Sequence, residues 1–356
     1  PVPGPGLFII DEEHETTYKQ DDHIRYHARE VALKRAQLSG AVVLLGSATP
    51  SLESWLRAGK GGPYRLLKLP HRIDERPLPK VRVVDLRQEL KEGNRGIFSR
   101  SLASAVNDRL AKGEQTLLFL NRRGYSTFVV CRECGLVLKC ARCDISLSYH
   151  LDGLLRCHYC NYTTVLPGLC PSCGSRYIRH FGAGTQKVEE VARKTFPGAR
   201  IVRMDSDSTS RKGSHERIFS AFRQGEADIL IGTQMIAKGL DLPGITLVGV
   251  INADTTLHMP DFRAAERTFQ LLTQVEGRTG RGELPGEVLV QTYCPDHYSI
   301  TSAAIHDFEG FYRNEMPVRR ALGYPPFSHL ARLLFTHDDE GELKKGAGLA
   351  KEILDK

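Results

Sequence analysis

No apolar run in this chain of 356 residues approaches the roughly 18 residues that a membrane span needs. The opening stretch, PVPGPGLFII, carries no basic residue ahead of its apolar run and no small-residue cleavage site, so it does not read as a secretory signal peptide. A phosphate loop of the form G-x-x-x-x-G-K-[ST] is absent too. The chain therefore lacks the lysine and backbone amides that usually cradle the β- and γ-phosphates of a nucleotide. It has no initiator methionine, enters a strand almost at once and ends in helix-like GLAKEILDK. The expectation is a fragment cut at both ends, with apolar surface exposed where its first lobe is incomplete. Cysteine is scarce everywhere but in one place. Eight of the nine cysteines fall between positions 131 and 173, and only Cys294 lies elsewhere.

Hydrophobic residues make up 41% and charged residues 26% of the chain, ordinary values for a soluble globular protein. The length allows two or three domains with well-buried cores. The formal net charge of +7 favours anionic partners. Eight thiolates around two Zn²⁺ would lower it by four, so the total charge does not argue for nucleic acid without local arginine clusters.

The cysteine-rich stretch repeats C-x₂-C four times, at 131/134, 140/143, 157/160 and 170/173. In a large chain with no export signal, such knuckles read as Zn²⁺ thiolate ligands rather than disulfides. A redox C-x-x-C accounts for one pair, not four. Between Cys143 and Cys157 the segment ISLSYH alternates like a strand, and Asp152-Gly153 is a hairpin turn signal before LLR. A hairpin there brings Cys140 and Cys143 to face Cys157 and Cys160 at one zinc. Cys131 and Cys134 then pair with Cys170 and Cys173 at the other. Gly135 and Gly174 follow their knuckles, where positive φ is often required. His150 and His158 are spare donors outside the two sets. Four thiolates per ion leave no open position, which makes both Zn²⁺ structural. Nested pairing also closes the ends of the segment together, as an insertion into a larger domain requires.

The flanking chain alternates short apolar runs with helical stretches: GLFII, AVVLLG, QTLLFL, ADILIG and ITLVGV. These read as strands of parallel sheets covered on both faces, an α/β fold. Open α/β sheets build their sites at the C-terminal ends of strands. At one such end stands DEEH, which by itself reads either as a solvated acidic loop or as a site where Asp11 holds Mg²⁺ and Glu12 polarises an attacking water. VVLLGSATPSLES delivers Ser47 and Thr49 to the same edge, where small hydroxyls can couple the acidic site to a second domain. ADILIG is followed by Gly232-Thr233-Gln234 and Lys238-Gly239-Leu240-Asp241. Pro260 and Asp261 signal a helix start. In that helix Phe262, Ala265, Phe269, Leu272 and Val275 fall at core spacing, and Gln274, Arg278 and Arg281 stand at its end. A glycine before each arginine permits close approach of backbone to ligand.

The order D-E-x-H, S-A-T, G-T-Q…K-G-x-D, Q-x-x-G-R-x-G-R is that of superfamily 2 helicases. DEEHETTYKQDDHIRYHARE, GSATPSLES, LLFLNRRGY, IGTQMIAKGLD and DFRAAERTFQLLTQV together resemble the bacterial replication-restart helicases, the PriA family, over essentially the whole chain. The resemblance implies ATP-driven, 3′→5′ movement on DNA, with ATP and Mg²⁺ as cofactors and a zinc-binding insertion where the eight cysteines sit. It implies that Asp11 and Glu12 are the Mg²⁺ and water-activating carboxylates and that His14 couples the two lobes. Ser47, Thr49, Gly239, Asp241 and Gln274 would relay the nucleotide state, and Arg278 and Arg281 would be the last motif, with Arg281 the arginine finger.

YKQDDHIRYHAR resembles the aromatic-rich loop that senses single-stranded DNA. There Tyr18 and Tyr26 can stack on bases while Lys19, Arg25 and Arg29 meet phosphates. Arg122 and Arg123 of LNRRGY are further candidates for backbone contact, and MDSDST (204–209) lines the same face. The zinc module, made locally basic by Arg132, Arg142, Arg156 and Arg176, would touch DNA and partner proteins. The implied partners are forked and single-stranded DNA, primosome proteins and single-stranded-DNA-binding protein, with no membrane. The implied location is the bacterial cytoplasm, at the nucleoid.

The expected architecture is two RecA-like lobes with the first incomplete. Residues 1–95 form the C-terminal half of lobe 1, residues 96–310 form lobe 2 interrupted by a zinc module at 131–178, and residues 311–356 begin an α+β C-terminal domain. The alternative is a zinc-ribbon binding module on a motor that does not hydrolyse. Two positions depart from the family pattern Q-V-A-G-R-A-G-R: Glu276 and Thr279 stand where small residues are usual, and Glu276 is placed to pair with Arg278 and compete with phosphate.

Overall fold

The computed structural model describes residues 2–20, 22, 24–70, 77–121, 128–150, 152–180, 184–205, 214–233, 242, 244–280, 284–331 and 333–354. Arg122, Arg123, Gly239, Asp241, Arg281 and positions 206–209 lie outside them. Two compact units are formed, residues 1–317 and 318–356. No described helix is long and apolar enough to cross a membrane.

The first unit opens with β1 (Leu7–Ile10), α1 (Ala28–Ser39), β2 (Val42–Leu45) and α2 (Leu52–Arg57). β1 and β2 pair in parallel, Leu7 against Val42 and Ile10 against Leu45. Leu7, Ile9, Val42 and Leu44, all apolar, are exposed on this two-stranded sheet. Next come β3 (Lys80–Asp85), α3 (Leu86–Lys91), α4 (Arg100–Lys112) and β4 (Gln115–Phe119). The cysteine-rich insertion holds β5 (Val129–Cys131), β6 (Ser148–Tyr149), β7 (Leu154–Arg156), β8 (Thr163–Val165) and β9 (Ile178–His180). The chain resumes with α5 (Thr185–Thr195), β10 (Ile201–Met204), α6 (Ser214–Arg223), β11 (Ile229–Gly232) and β12 (Ile245–Val250). Then follow α7 (Asp254–Leu257), α8 (Ala264–Glu276), β13 (Glu287–Thr292), α9 (Tyr298–Ala304) and α10 (Phe308–Ala321).

β10, β11, β4, β12, β13 and β3 form, in that order, one six-stranded sheet in which every pairing is parallel. Its central strands β11, β4 and β12 are buried almost end to end and mostly apolar, as expected of a parallel sheet covered on both faces. Leu117, Leu118, Ile229, Ile231, Leu247 and Leu289 are fully buried in it, each worth roughly 1.5–3 kcal/mol of transfer free energy. Gly249 sits mid-strand in β12 because α4 lies against it: an added Cβ would stand 2.7 Å from Leu102 Cδ1 and 3.0 Å from Leu118 Cδ2. α4 itself is capped by the Ser99 hydroxyl, which accepts from Leu102 N at 3.1 Å, and ends at Gly113 with φ 69.

Two expected boundaries move. β3 pairs with β13 from Lys80 to Asp85, so residues 80–85 join the six-stranded sheet of the expected second lobe and not the two-stranded sheet of the first. The reading of KVRVVDLRQEL as lobe 1 followed sequence order, whereas a parallel strand can take the sheet edge from any point in the chain. At the other end, α10 runs unbroken across 311, and Phe311 stacks on Phe269 with ring centroids 4.7 Å apart, so residues 311–317 stay with the first unit. The second unit contains α11 (Glu340–Leu354), with no buried residue. Within it Arg320 lies over the Phe327 ring at 4.6 Å.

The insertion is closed at its base by β5 and β9, antiparallel, with Val129 opposite His180. Inside it β6, β7 and β8 form an antiparallel meander, turning at Gly153 with φ 81. Its apolar cluster is small, and four of its nine buried members are cysteines. Phe128 and Val130 join Leu86 and Tyr293 in a separate cluster that seats the insertion on the lobe.

Candidate functional site

β1 delivers DEEH to the sheet edge. Asp11 is exposed there; its Oδ1 accepts the Glu12 N–H at 3.0 Å, and its carbonyl accepts from Tyr18 OH at 2.7 Å. Glu12 adopts φ 47, in the left-handed region that β-carbons disfavour and that functional loops often hold. Its Oε2 lies 3.6 Å from His14 Nδ1. The same Nδ1 is 2.7 Å from Ser47 Oγ, while His14 Nε2 is 3.0 Å from Gln274 Nε2 on α8. With the Gln274 amide donating, Nε2 accepts and the proton resides on Nδ1, facing Ser47 and Glu12. The Ser47 hydroxyl also accepts from Thr49 N at 3.0 Å. Glu12, His14, Ser47, Thr49 and Gln274, drawn from distant parts of the chain, thus form one connected set.

α8 reaches the first lobe with a whole stripe. Arg263 Nη2 is 2.9 Å from Glu53 Oε1, Glu266 Oε1 accepts from Leu52 N at 3.0 Å, and Gln270 Nε2 is 3.5 Å from the Thr49 carbonyl. Positions 263, 266, 270 and 274 fall at helical spacing, opposite the buried Phe269, Leu272 and Val275. Sequence reasoning singled out only Gln274. The signal for the others was their helical spacing on the face opposite Phe269, Leu272 and Val275.

Behind the acidic loop, buried Glu13 is paired with Arg29 at 2.6 Å and accepts from Ser51 N at 2.6 Å and Ser54 Oγ at 2.9 Å. Arg29 also donates to Ser51 and Ser54. This corrects the assignment of Arg29 to DNA: the residue is 8% exposed, and its guanidinium neutralises Glu13 inside the lobe. Losing one partner of such a buried pair costs roughly 3–5 kcal/mol. Lys19 bridges to His27, Gln20 N donates to Tyr26 O at 2.8 Å, and Lys19, Arg25 and Tyr26 are exposed.

Arg278 stands half-buried just past α8. Glu276 is fully buried and faces His306, with Oε2 3.5 Å from Nδ1. The expected pairing with Arg278 is thereby replaced, because α8 turns Glu276 toward the chain that follows α9. Burial pushes the Glu276 carboxyl up to about 8. Thr279 is buried too, its hydroxyl donating to Ile245 O at 3.0 Å.

The cysteines form two sets, Cys131/Cys134/Cys170/Cys173 and Cys140/Cys143/Cys157/Cys160, nested as the hairpin dictates. Sulfur separations are 3.7 Å for Cys131–Cys173, 3.7 Å for Cys134–Cys170 and 3.6 Å for Cys140–Cys160. Tetrahedral Zn–S bonds of about 2.3 Å set sulfurs roughly 3.8 Å apart, so the sets fit zinc. Knuckle amides add support. Tyr159 N donates to Cys157 Sγ at 3.4 Å, and the Tyr162 N–H pulls the Cys160 thiol down to about 7. Gly135 and Gly174 take φ 80 and 72. His150 and His158 pack ring against ring, centroids 5.4 Å apart, and belong to neither set.

A parallel α/β sheet with acidic, hydroxyl and arginine motifs gathered at its strand ends, carrying an insertion of two four-cysteine sets, is the arrangement of the helicase family. Residues 176–283 match the helicase conserved C-terminal domain, and residues 140–164 match the PriA DNA helicase Cys-rich region domain. The chain is 56% identical to the replication restart protein PriA of Bacillus subtilis over 99% of its own length and 44% of that protein's. It is 51% identical to PriA of Synechocystis sp. over 100% of its length and 44% of that protein's. The chain belongs to the PriA family, and it spans a little under half the length of these relatives. Among solved structures, S. cerevisiae Dbp5 bound to RNA and ADP BeF3 is similar at 15% identity and a TM-score of 0.41, over 89% of this chain and 63% of that one.

Proposed function

We propose that the chain is the motor segment of an ATP-driven, 3′→5′ DNA helicase that engages forked DNA and starts primosome assembly at stalled replication. One observation carries this reading: the His14–Gln274 contact of 3.0 Å, which joins the acidic loop of one lobe to the last-motif helix of the other. Nothing in a solvated acidic loop requires that contact, whereas a motor that couples hydrolysis to lobe movement does. Asp11 would hold Mg²⁺, and Mg²⁺ with ATP would supply the polarised phosphoryl group. Glu12 would orient the water, His14 would sense Glu12 and pass its state to Gln274 and Ser47, and Arg278 and Arg281 would approach from the far side of the cleft. The phosphate cradle would come from sequence outside this chain. The exposed loop with Lys19, Arg25 and Tyr26 would meet single-stranded DNA, together with Arg122 and Arg123. The basic zinc module would face DNA and partners such as primosome proteins and single-stranded-DNA-binding protein, in the bacterial cytoplasm at the nucleoid.

The test is DNA-stimulated ATP hydrolysis by the full-length protein. Glu12→Gln keeps size and hydrogen bonding but cannot polarise water, and should lower kcat on the order of a hundredfold or more with DNA affinity retained. Unchanged hydrolysis would refute the assignment and favour a zinc-ribbon binding module on a motor that does not turn over.

A further inference from the structure

Cys294, the one cysteine outside the zinc module, is not alone. It follows β13, beside Asp254 and His258, which lie at the two ends of the short helix α7 after β12. All three therefore sit at the C-terminal ends of parallel strands, where such sheets build sites. Cys294 Sγ is 3.5 Å from His258 Nε2, and Asp254 Oδ1 is 3.6 Å from that same Nε2. The three donor atoms lie within 4.8 Å of one another. Asp254 is fully buried and His258 is 6% exposed. The carboxylate is oriented by Thr292 Oγ1 at 3.0 Å and Tyr293 N at 2.9 Å, the support expected behind a metal ligand.

A ring nitrogen has one bonding direction, so it makes one good hydrogen bond. Here a sulfur and a carboxylate oxygen converge on it together. A hydrogen-bonded triad would place them on opposite ring nitrogens; convergence on one is the geometry of a shared cation. Bond lengths agree. Tetrahedral zinc with Zn–S of about 2.3 Å and Zn–N and Zn–O of about 2.0–2.2 Å puts sulfur and nitrogen roughly 3.6 Å apart and nitrogen and oxygen roughly 3.4 Å apart. The observed spacings are as close to these values as the sulfur separations of the two cysteine sets are to theirs. A fourth donor is at hand: the Gly135 carbonyl lies 3.6 Å from Cys294 Sγ. Gly135 is held there by its own lack of a side chain, since a Cβ would stand 2.4 Å from Tyr293 O.

We propose that Asp254, His258 and Cys294 bind a third divalent transition-metal ion of the zinc class, with the Gly135 carbonyl or a water as fourth ligand. One thiolate, one imidazole and one carboxylate make a borderline-soft set that suits zinc over magnesium or calcium. The ion would pin the first knuckle of the zinc module to the ends of β12 and β13, fixing the angle at which the module leaves the motor lobe.

The test is zinc content of the full-length protein after loading with excess Zn²⁺ and desalting. Wild type should hold three ions per chain, and His258→Gln and Cys294→Ser two each. X-ray absorption of the wild type gives a readout that needs no variant: nine thiolates shared over three ions average three sulfurs per zinc, whereas two Cys₄ sites alone average four. Two ions per wild-type chain with four sulfurs each, or an unchanged count in His258→Gln, would overturn the site.

Discussion

Glu276 shows how much one residue's surroundings decide. In sequence it is a carboxylate beside an arginine motif; in the fold it is buried against His306. A carboxyl held near 8 is protonated in the folded state over a range where the unfolded chain has already lost its proton. Its stabilising contribution is complete below the ordinary Glu value and disappears as pH rises to about 8. Glu276→Gln should therefore leave stability near pH 4.5 little changed, and raise it by as much as about 3 kcal/mol at pH 7. Denaturant unfolding across that range checks the sign; a variant less stable than wild type at pH 7 would show that the charged carboxylate is needed. Arg29 makes the complementary point. Its charge reads as a phosphate contact until Glu13 is found 2.6 Å away, because a loop sequence does not reveal which of its cations turns inward.

At the scale of elements, α8 carries two functions on two faces. Phe269, Leu272 and Val275 anchor it in the second lobe. Arg263, Glu266, Gln270 and Gln274 face α2 and the two loops that follow β1 and β2. Replacing Glu266 by Ala removes the acceptor of Leu52 N without disturbing the apolar face, and the loss of one such buried bond costs about 1–3 kcal/mol. The expected outcome is hydrolysis less stimulated by DNA at near-normal ATP affinity, measured as kcat with and without single-stranded DNA. Equal stimulation in variant and wild type would deny the stripe any role in coupling. The apolar periodicity of this helix was legible in advance. Its polar stripe carried equal periodicity, but solvated faces share that pattern, and only the neighbouring loops distinguish the two.

Across the molecule, the zinc module and the motor lobe are stabilised by different physics. The lobe buries long aliphatic runs between helices. The module's buried cluster is small and nearly half cysteine, so metal coordination supplements a limited core. Chelation should raise amide exchange throughout 131–178 while β4, β11 and β12 stay protected; loss of protection in both would mean the lobe depends on the metal too. Within the module, Cys140→Ser should release the ion it shares with Cys157 and spare the one at Cys131.

The sequence by itself determined the chemistry that depends on spacing. Four C-x₂-C knuckles around a hairpin turn determine which thiols can meet, and apolar strands each followed by acidic, hydroxyl or glycine-rich motifs determine a parallel α/β fold with its candidate site at the strand ends. Both follow from local geometry, where residue separation translates directly into distance. The tertiary structure alone decided what depends on distant segments lying side by side: β3 at the edge of the second lobe's sheet, Arg29 turned inward to Glu13, Glu276 against His306, and Asp254, His258 and Cys294 converging on a single point. Sheet order and helix docking bring these together, and the free energy that selects them comes from burying surface over the whole lobe, which no short stretch of sequence encodes.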